Sequence, residues 1–144
     1  MENRNGMAVA GRVSQADGAA ERRASEALLK HKARRHGRRI TVGEDKAYDC
    51  RDHVIALRRL NVTPHVTQND PLTKTGRRRT SAIDKRTPPG YRISQSCRAM
   101  VECIFGWGKQ PGTMRKTRHR GIAADFVLNL IAYNLVRIPK LIAA

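Results

Sequence analysis

The sequence predicts an α/β fold, a partly parallel sheet with helices packed against it. Three observations lead there. Short β-prone runs alternate with stretches of helical periodicity, in the order strand–helix–strand–helix–strand–helix. Gly and Pro signals (Asn5-Gly6, Gly37, Pro111-Gly112) fall between those runs. The 144 residues suffice for one domain with a modest core.

Taken in order, residues 7–13 (MAVAGRV) read as a short strand after the Asn5-Gly6 turn. Residues 14–35 carry helical spacing, with Ala20, Ala24, Leu28 and Leu29 on one side, Asp17 as N-cap and Gly37 as the stop. Residues 39–43 (RITVG) form the second strand, followed at its C-terminal end by Glu44-Asp45-Lys46. Asp49 or Asp52 caps a helix through Leu60, built on Val54, Ile55, Leu57 and Leu60. Residues 62–67 (VTPHVT) form a third strand, which Pro64 keeps short or at an edge. Residues 68–93 are an irregular basic connection, long enough to imply a functional or flexible loop. A helix over 98–107 ends at Pro111-Gly112, residues 113–121 (TMRKTRHRG) are a basic connector, and a last helix spans 122–138. The expected domain covers 1–138, with 139–144 as a tail.

Charge is the strongest compositional signal. Lys and Arg number 29 against 12 acids, a net +17. Residues 73–120 hold 13 of those cations and two acids, Asp84 and Glu102, a net +11. Such density reads as a polyanion-binding surface, with DNA or RNA the default partner. A solvated loop is the plainer reading, and 73–90 suits both. Cys50, Cys97 and Cys103 include no C-x2-C pair, so neither a zinc site nor a disulfide framework follows, and a reducing cytoplasm is the natural compartment. The five histidines lack metal spacing and read as surface or nucleic-acid-facing residues. The first fifteen residues do not read as a secretory signal. Polar residues interrupt 122–144 enough to favour a buried C-terminal helix over a membrane span.

Within RAMVECIFGWGK, the spacing R-x3-E-x6-K sets Arg98, Glu102 and Lys109 on one helical stripe, with Gln95 on the same stripe. Val101, Ile104, Phe105 and Trp107 supply the apolar face. A carboxylate between two cations suits metal-assisted chemistry on phosphates. An exposed Arg98–Glu102 helical pair, worth about 0.3–0.5 kcal/mol, is the simpler reading of the first two alone.

The segments MENRNG, GEDKAYD, VTPHVTQN, GYRISQSCRAMVECIFGWGK, RKTRHRG and AYNLVR, in this order, resemble the C-terminal part of an insertion-sequence DDE transposase with a ribonuclease H-like core. They span residue 1 to about 138. The resemblance implies metal-dependent DNA cleavage and strand transfer, with three carboxylates holding two Mg2+ (or Mn2+) ions. Asp45 matches the second Asp of that triad, and Glu102 its Glu, within the motif Y-x2-R-x3-E-x6-K. Arg98 and Lys109 fit the motif, and Gln95 stands where its Tyr is usual. Transposon-end DNA is the implied partner, with self-association beside it and neither a membrane nor a small-molecule substrate. The implied location is the cytoplasm, on a bacterial-type nucleoid. Arg77, Arg78, Arg79, Arg115, Lys116, Arg118, His119 and Arg120 are the expected DNA contacts.

The triad's first Asp has no counterpart among Glu2, Asp17, Glu21, Glu26 and Glu44, the acids ahead of Asp45. The expectation is therefore a truncated catalytic domain, a partial ribonuclease H-like mixed sheet lacking its first, central strand. Such a gap leaves backbone groups unpaired at about 1–3 kcal/mol each, so the isolated chain should be unstable, re-paired or associated. Asp45 also has a plainer reading, an Asp bonding backbone amides in a strand-to-helix turn. The rival to the transposase reading is a non-catalytic basic nucleic-acid binder, and a third reading is a nonfunctional remnant.

Overall fold

The computed structural model describes residues 1–69, 82–83, 89–115 and 121–143. They form two compact units, one of Ala16–Ser96 and one of Met1–Gln15 with Cys97–Ala144.

The Ala16–Ser96 unit holds α1 (Ala20–His36), β1 (Ile40–Glu44), a 3-10 turn (Lys46–Tyr48), α2 (Arg51–Arg59), β2 (Val62–Val66) and most of α3 (Tyr91–Arg98). β1 and β2 pair in parallel, Ile40 opposite Val62 and Glu44 opposite Val66. A parallel pair needs a crossover, and α2 supplies it. Val54, Leu57, Val62 and Val66 are buried, and Ile83 joins Val54 and Val66 with Tyr48 and Ala82 against them. Each such side chain contributes about 1.5–3 kcal/mol on burial. This is the α/β class that the sequence predicts, a parallel pair flanked by helices, consistent with a partial ribonuclease H-like fold.

Several boundaries differ. α1 starts at Ala20, because Asp17 shapes the turn ahead of it: its carboxylate accepts from the Ala19 amide at 2.8 Å. Cys50, rather than Asp49 or Asp52, stands at the N-cap of α2. The Asp49 carboxylate accepts instead from the Asn69 amide at 2.7 Å and the Ala82 amide at 2.8 Å. Two backbone amides outcompete the one that a helix start would offer. The helix expected over 98–107 is two helices, α3 and α4 (Met100–Lys109), parted by a turn at Ala99. α3 begins at Tyr91, inside the connection expected to stay irregular to 93.

The other unit contains α4, α5 (Ile122–Ile142) and the N-terminal segment. The strand expected over 7–13 does not form; that segment lies along α5. The Asn134 side chain donates to the Ala8 carbonyl at 2.7 Å and accepts from the Ala8 amide at 2.9 Å, the pairing a neighbouring strand would otherwise give. Tyr133 Oη donates to the Gly6 carbonyl at 3.3 Å, and Arg137 Nε to the Asn5 carbonyl. Gly11 permits this approach, since a Cβ there would sit 2.5 Å from Leu130 and Phe126.

α5 extends through Pro139 to Ile142, beyond the expected end at 138, and is long and apolar enough, by length and composition, to cross a membrane. Its burial corrects the expectation of a buried apolar helix. Asp125, Asn129 and Tyr133 are the buried residues, whereas Leu128, Ile131, Leu135, Ile138 and Ile142 are exposed. Asn129 accepts from the Thr113 amide at 3.0 Å and donates to Thr113 Oγ1 at 2.9 Å, and Thr113 donates to Asp125 at 2.8 Å. Hydrogen bonds, more than apolar burial, seat this helix.

Candidate catalytic carboxylates and their surroundings

Asp45 directly follows β1, at the C-terminal end of a parallel strand, where α/β folds present their functional groups. Its half-buried carboxylate caps the 3-10 turn, Oδ1 accepting from the Ala47 amide at 2.8 Å, and its carbonyl accepts from Tyr48 at 3.2 Å. The plainer reading of this residue, a bond to a nearby backbone amide, is therefore realised.

Strand alternation turns the preceding residue the other way. Glu44 is buried, with Oε1 accepting from Ser25 of α1 at 2.6 Å and Oε2 lying 3.0 Å from His53 Nε2. The other ring nitrogen of His53 lies 2.8 Å from Glu26 of α1. Burial alone would push His53 down, but the hydrogen bonds and charges of Glu44 and Glu26 outweigh it and hold the imidazole above the usual histidine range. An imidazolium donates from both nitrogens, which is what two carboxylate acceptors require. His53 is thus a buried clip joining α1, β1 and α2, not the surface residue that the sequence suggests.

His65 corrects the same expectation. It is buried on β2, with Nδ1 2.7 Å from Ser94 Oγ of α3, and burial pushes its imidazole down. The Tyr48 ring leans on His53 at 5.5 Å, and burial, then the charges of Glu21, Glu44 and Asp45, pushes its hydroxyl up to about 12.

Gln95 also departs from its expected stripe. Its amide donates to the carbonyls of His65 and Glu44, the latter at 3.4 Å, and accepts from Thr67 Oγ1 at 2.8 Å. Tyr91 Oη donates to the Val66 carbonyl at 3.2 Å. α3 is therefore fastened across the C-terminal ends of both strands, beside the backbone that delivers Asp45. Gly43 admits it closely, since a Cβ there would meet the Ser94 carbonyl at 3.1 Å. The signal for these contacts was present in Thr67, Tyr91, Ser94 and Gln95 as polar residues, but their partners are backbone atoms distant in sequence.

Glu102 lies in the first turn of α4 and Lys109 in its last, seven residues apart and so on one stripe. Arg98 ends α3, on the far side of the turn at Ala99, so the three do not share one helix. All three are exposed. Ile104 is buried and Trp107 half-buried, its ring 6.1 Å from Tyr133 in an edge contact, whereas Phe105, expected in the core, is exposed. Arg115 is exposed. Arg77, Arg78, Arg79, Lys116, Arg118, His119 and Arg120 lie outside the described residues.

Hard carboxylate oxygens such as those of Asp45 and Glu102 are the donor type that Mg2+ prefers. Among the described residues, no group of three or more His, Cys, Asp or Glu side chains could hold a metal ion. Asp45 belongs to one unit and Glu102 to the other.

Comparison with known proteins matches a family model described as the transposase DDE domain, over residues 1–135. No curated protein and no solved structure matches. A match over residues 1–135 of 144 establishes that the chain belongs to the DDE transposase family.

Proposed function

We propose that this chain is the C-terminal part of a DDE transposase catalytic domain, residues 1–138, that binds transposon-end DNA and contributes two of three metal-holding carboxylates. Those are Asp45 and Glu102, with Arg98 and Lys109 supporting Glu102 and the DNA backbone. Mg2+ or Mn2+, when bound, would polarise the phosphodiester and activate the attacking oxygen. DNA contacts come from Arg115 and from the basic residues Arg77, Arg78, Arg79, Lys116, Arg118, His119 and Arg120. Self-association and a cytoplasmic, nucleoid-bound location belong to the same reading.

The observation that carries it is the family match over 1–135 with an Asp directly after a parallel strand. Catalytic incompleteness is supported by what the acids ahead of Asp45 do. Glu2 accepts from the amides of Arg4, Asn5 and Met7; Asp17 shapes the start of α1; Glu26 and Glu44 hold His53. Glu21 is exposed on α1. Four of these five acids are engaged elsewhere in the fold, which supports a chain that does not cleave or join DNA strands alone.

The test is Mn2+ binding by electron paramagnetic resonance, beside DNA binding by fluorescence anisotropy. Asp45→Ala and Glu102→Ala should each weaken Mn2+ binding about tenfold or more while DNA affinity is kept or raised. Unchanged Mn2+ binding in both variants would favour the second reading, a non-catalytic basic nucleic-acid binder. The bond from the Ala47 amide to Asp45 Oδ1 is the observation on that side.

A further inference from the structure

The ends of three elements meet at the pole of the Ala16–Ser96 unit that lies away from Asp45. β1 and β2 run parallel, so both start at one end of the sheet, and α1 and α2, which lead into them, finish there. The connections are short. Gly37, in the left-handed region at φ 65°, turns α1 towards β1, and Asn61, at φ 60°, turns α2 towards β2. The two connections are also tied together. Arg39 Nε donates to Asn61 Oδ1 at 3.1 Å, and the Ile40 amide donates to the Asn61 carbonyl at 3.4 Å. Arg34 and Arg35 lie in the last turn of α1, Arg38 and Arg39 follow it, and Arg58 and Arg59 lie in the last turn of α2. All six are exposed.

The charge at this pole is unbalanced. No acid occurs in residues 27–43 or 53–69, the stretches that build it. A helix C-terminus favours a cation in its last turn, which accounts for an arginine in each helix. Arg38 and Arg39 lie beyond α1, and six guanidiniums on one small surface repel one another, a cost that a bound polyanion removes. Arginine suits phosphate oxygens, which its planar fork binds in pairs. Neither stretch contains Phe, Trp or Tyr, so the surface offers backbone contacts without a stacking platform for unpaired bases.

We propose that this arginine pole is a second DNA-binding surface, which grips the phosphate backbone of a duplex other than the one at Asp45. About 20 Å of chain separates Arg39 from Asp45 along β1. None of the six arginines is among the DNA contacts proposed above. One copy of the chain thus holds two duplexes, at opposite ends of one parallel strand pair. Neither metal nor the Asp45 carboxylate enters, so this surface and the carboxylate reading can each fail without the other.

The experiment binds the full chain to an immobilised duplex of random sequence and measures capture of a fluorescent second duplex. Capture is expected for the wild type. Replacing Arg34, Arg35, Arg58 and Arg59 together with Gln should lower it about tenfold or more, with the immobilised duplex still bound. Lys at the same four positions keeps the charge and should restore most of the capture. All three proteins should share one far-ultraviolet circular dichroism spectrum. A wild type that captures no second duplex, or capture indifferent to the Gln replacements, would overturn the proposal. Loss of the immobilised duplex as well would overturn the assignment as a second surface. Preferential capture of single-stranded RNA over duplex DNA would assign the pole to another partner and overturn it too.

Discussion

The two units hold their helices in place with different shares of apolar burial. In Ala16–Ser96, α2 lays Val54 and Leu57 against the strand residues Val62 and Val66, beside buried Glu44, His53, His65 and Ser94, and His65 Nε2 is buried without a hydrogen-bond partner among the described residues. In the other unit, α5 buries Asp125, Asn129 and Tyr133 and leaves Leu128, Ile131, Leu135, Ile138 and Ile142 outside. Apolar burial is tolerant of detail, whereas a hydrogen-bonded face depends on each partner being present. The first unit should therefore fail by loss of volume, the second by loss of single polar atoms.

The largest effect should come from Leu57→Ala. Leu57 is fully buried, and truncation should cost about 2–5 kcal/mol. Hydrogen exchange should speed in the amides of α2 and β2; unchanged protection there would mean that this core is not what stabilises the unit. Asn129→Ala should cost less, about 1–3 kcal/mol, by taking the acceptor from the Thr113 amide and one of the two partners from its hydroxyl, which keeps Asp125. Exchange should then rise in α5 but not in α2, and a rise in both would erase the contrast. The mildest effect is a titration. His53 is held above its ordinary range in the folded chain, so its contribution is whole below about pH 6.5 and fades as pH rises through the raised value. Urea midpoints should accordingly fall from pH 6 towards pH 9, and His53→Gln should flatten that slope. A midpoint that climbed with pH would show the clip to be held as neutral imidazole.

Much of the first unit was readable from the chain. The runs RITVG and VTPHVT became β1 and β2 because β-branched residues alternate within them and a helical stretch of suitable length separates them. Asp45 was legible for the same reason, as the acid at a strand end. The second unit was not. MAVAGRV has the composition of a strand, but the Asn134 amide takes up the hydrogen bonds that a strand would share, and no local pattern announces a side chain 126 positions away. α5 misled in a related way, since its apolar content was read as a sign of burial. The spacing of Leu128, Ile131, Leu135, Ile138 and Ile142 was present in the sequence, but only the placement of Asn129 and Tyr133 shows which side of the helix is dry. Glu44 and His53 escaped because buried carboxylate–imidazole pairs look like surface residues until both partners are placed.

The Asp49 carboxylate ties together two points of the chain that are distant in sequence. It accepts from the Asn69 amide and from the Ala82 amide, so one side chain fastens both to the start of α2. Asp49→Ala would therefore release both amides at once, and α2 would lose two anchors through a single substitution.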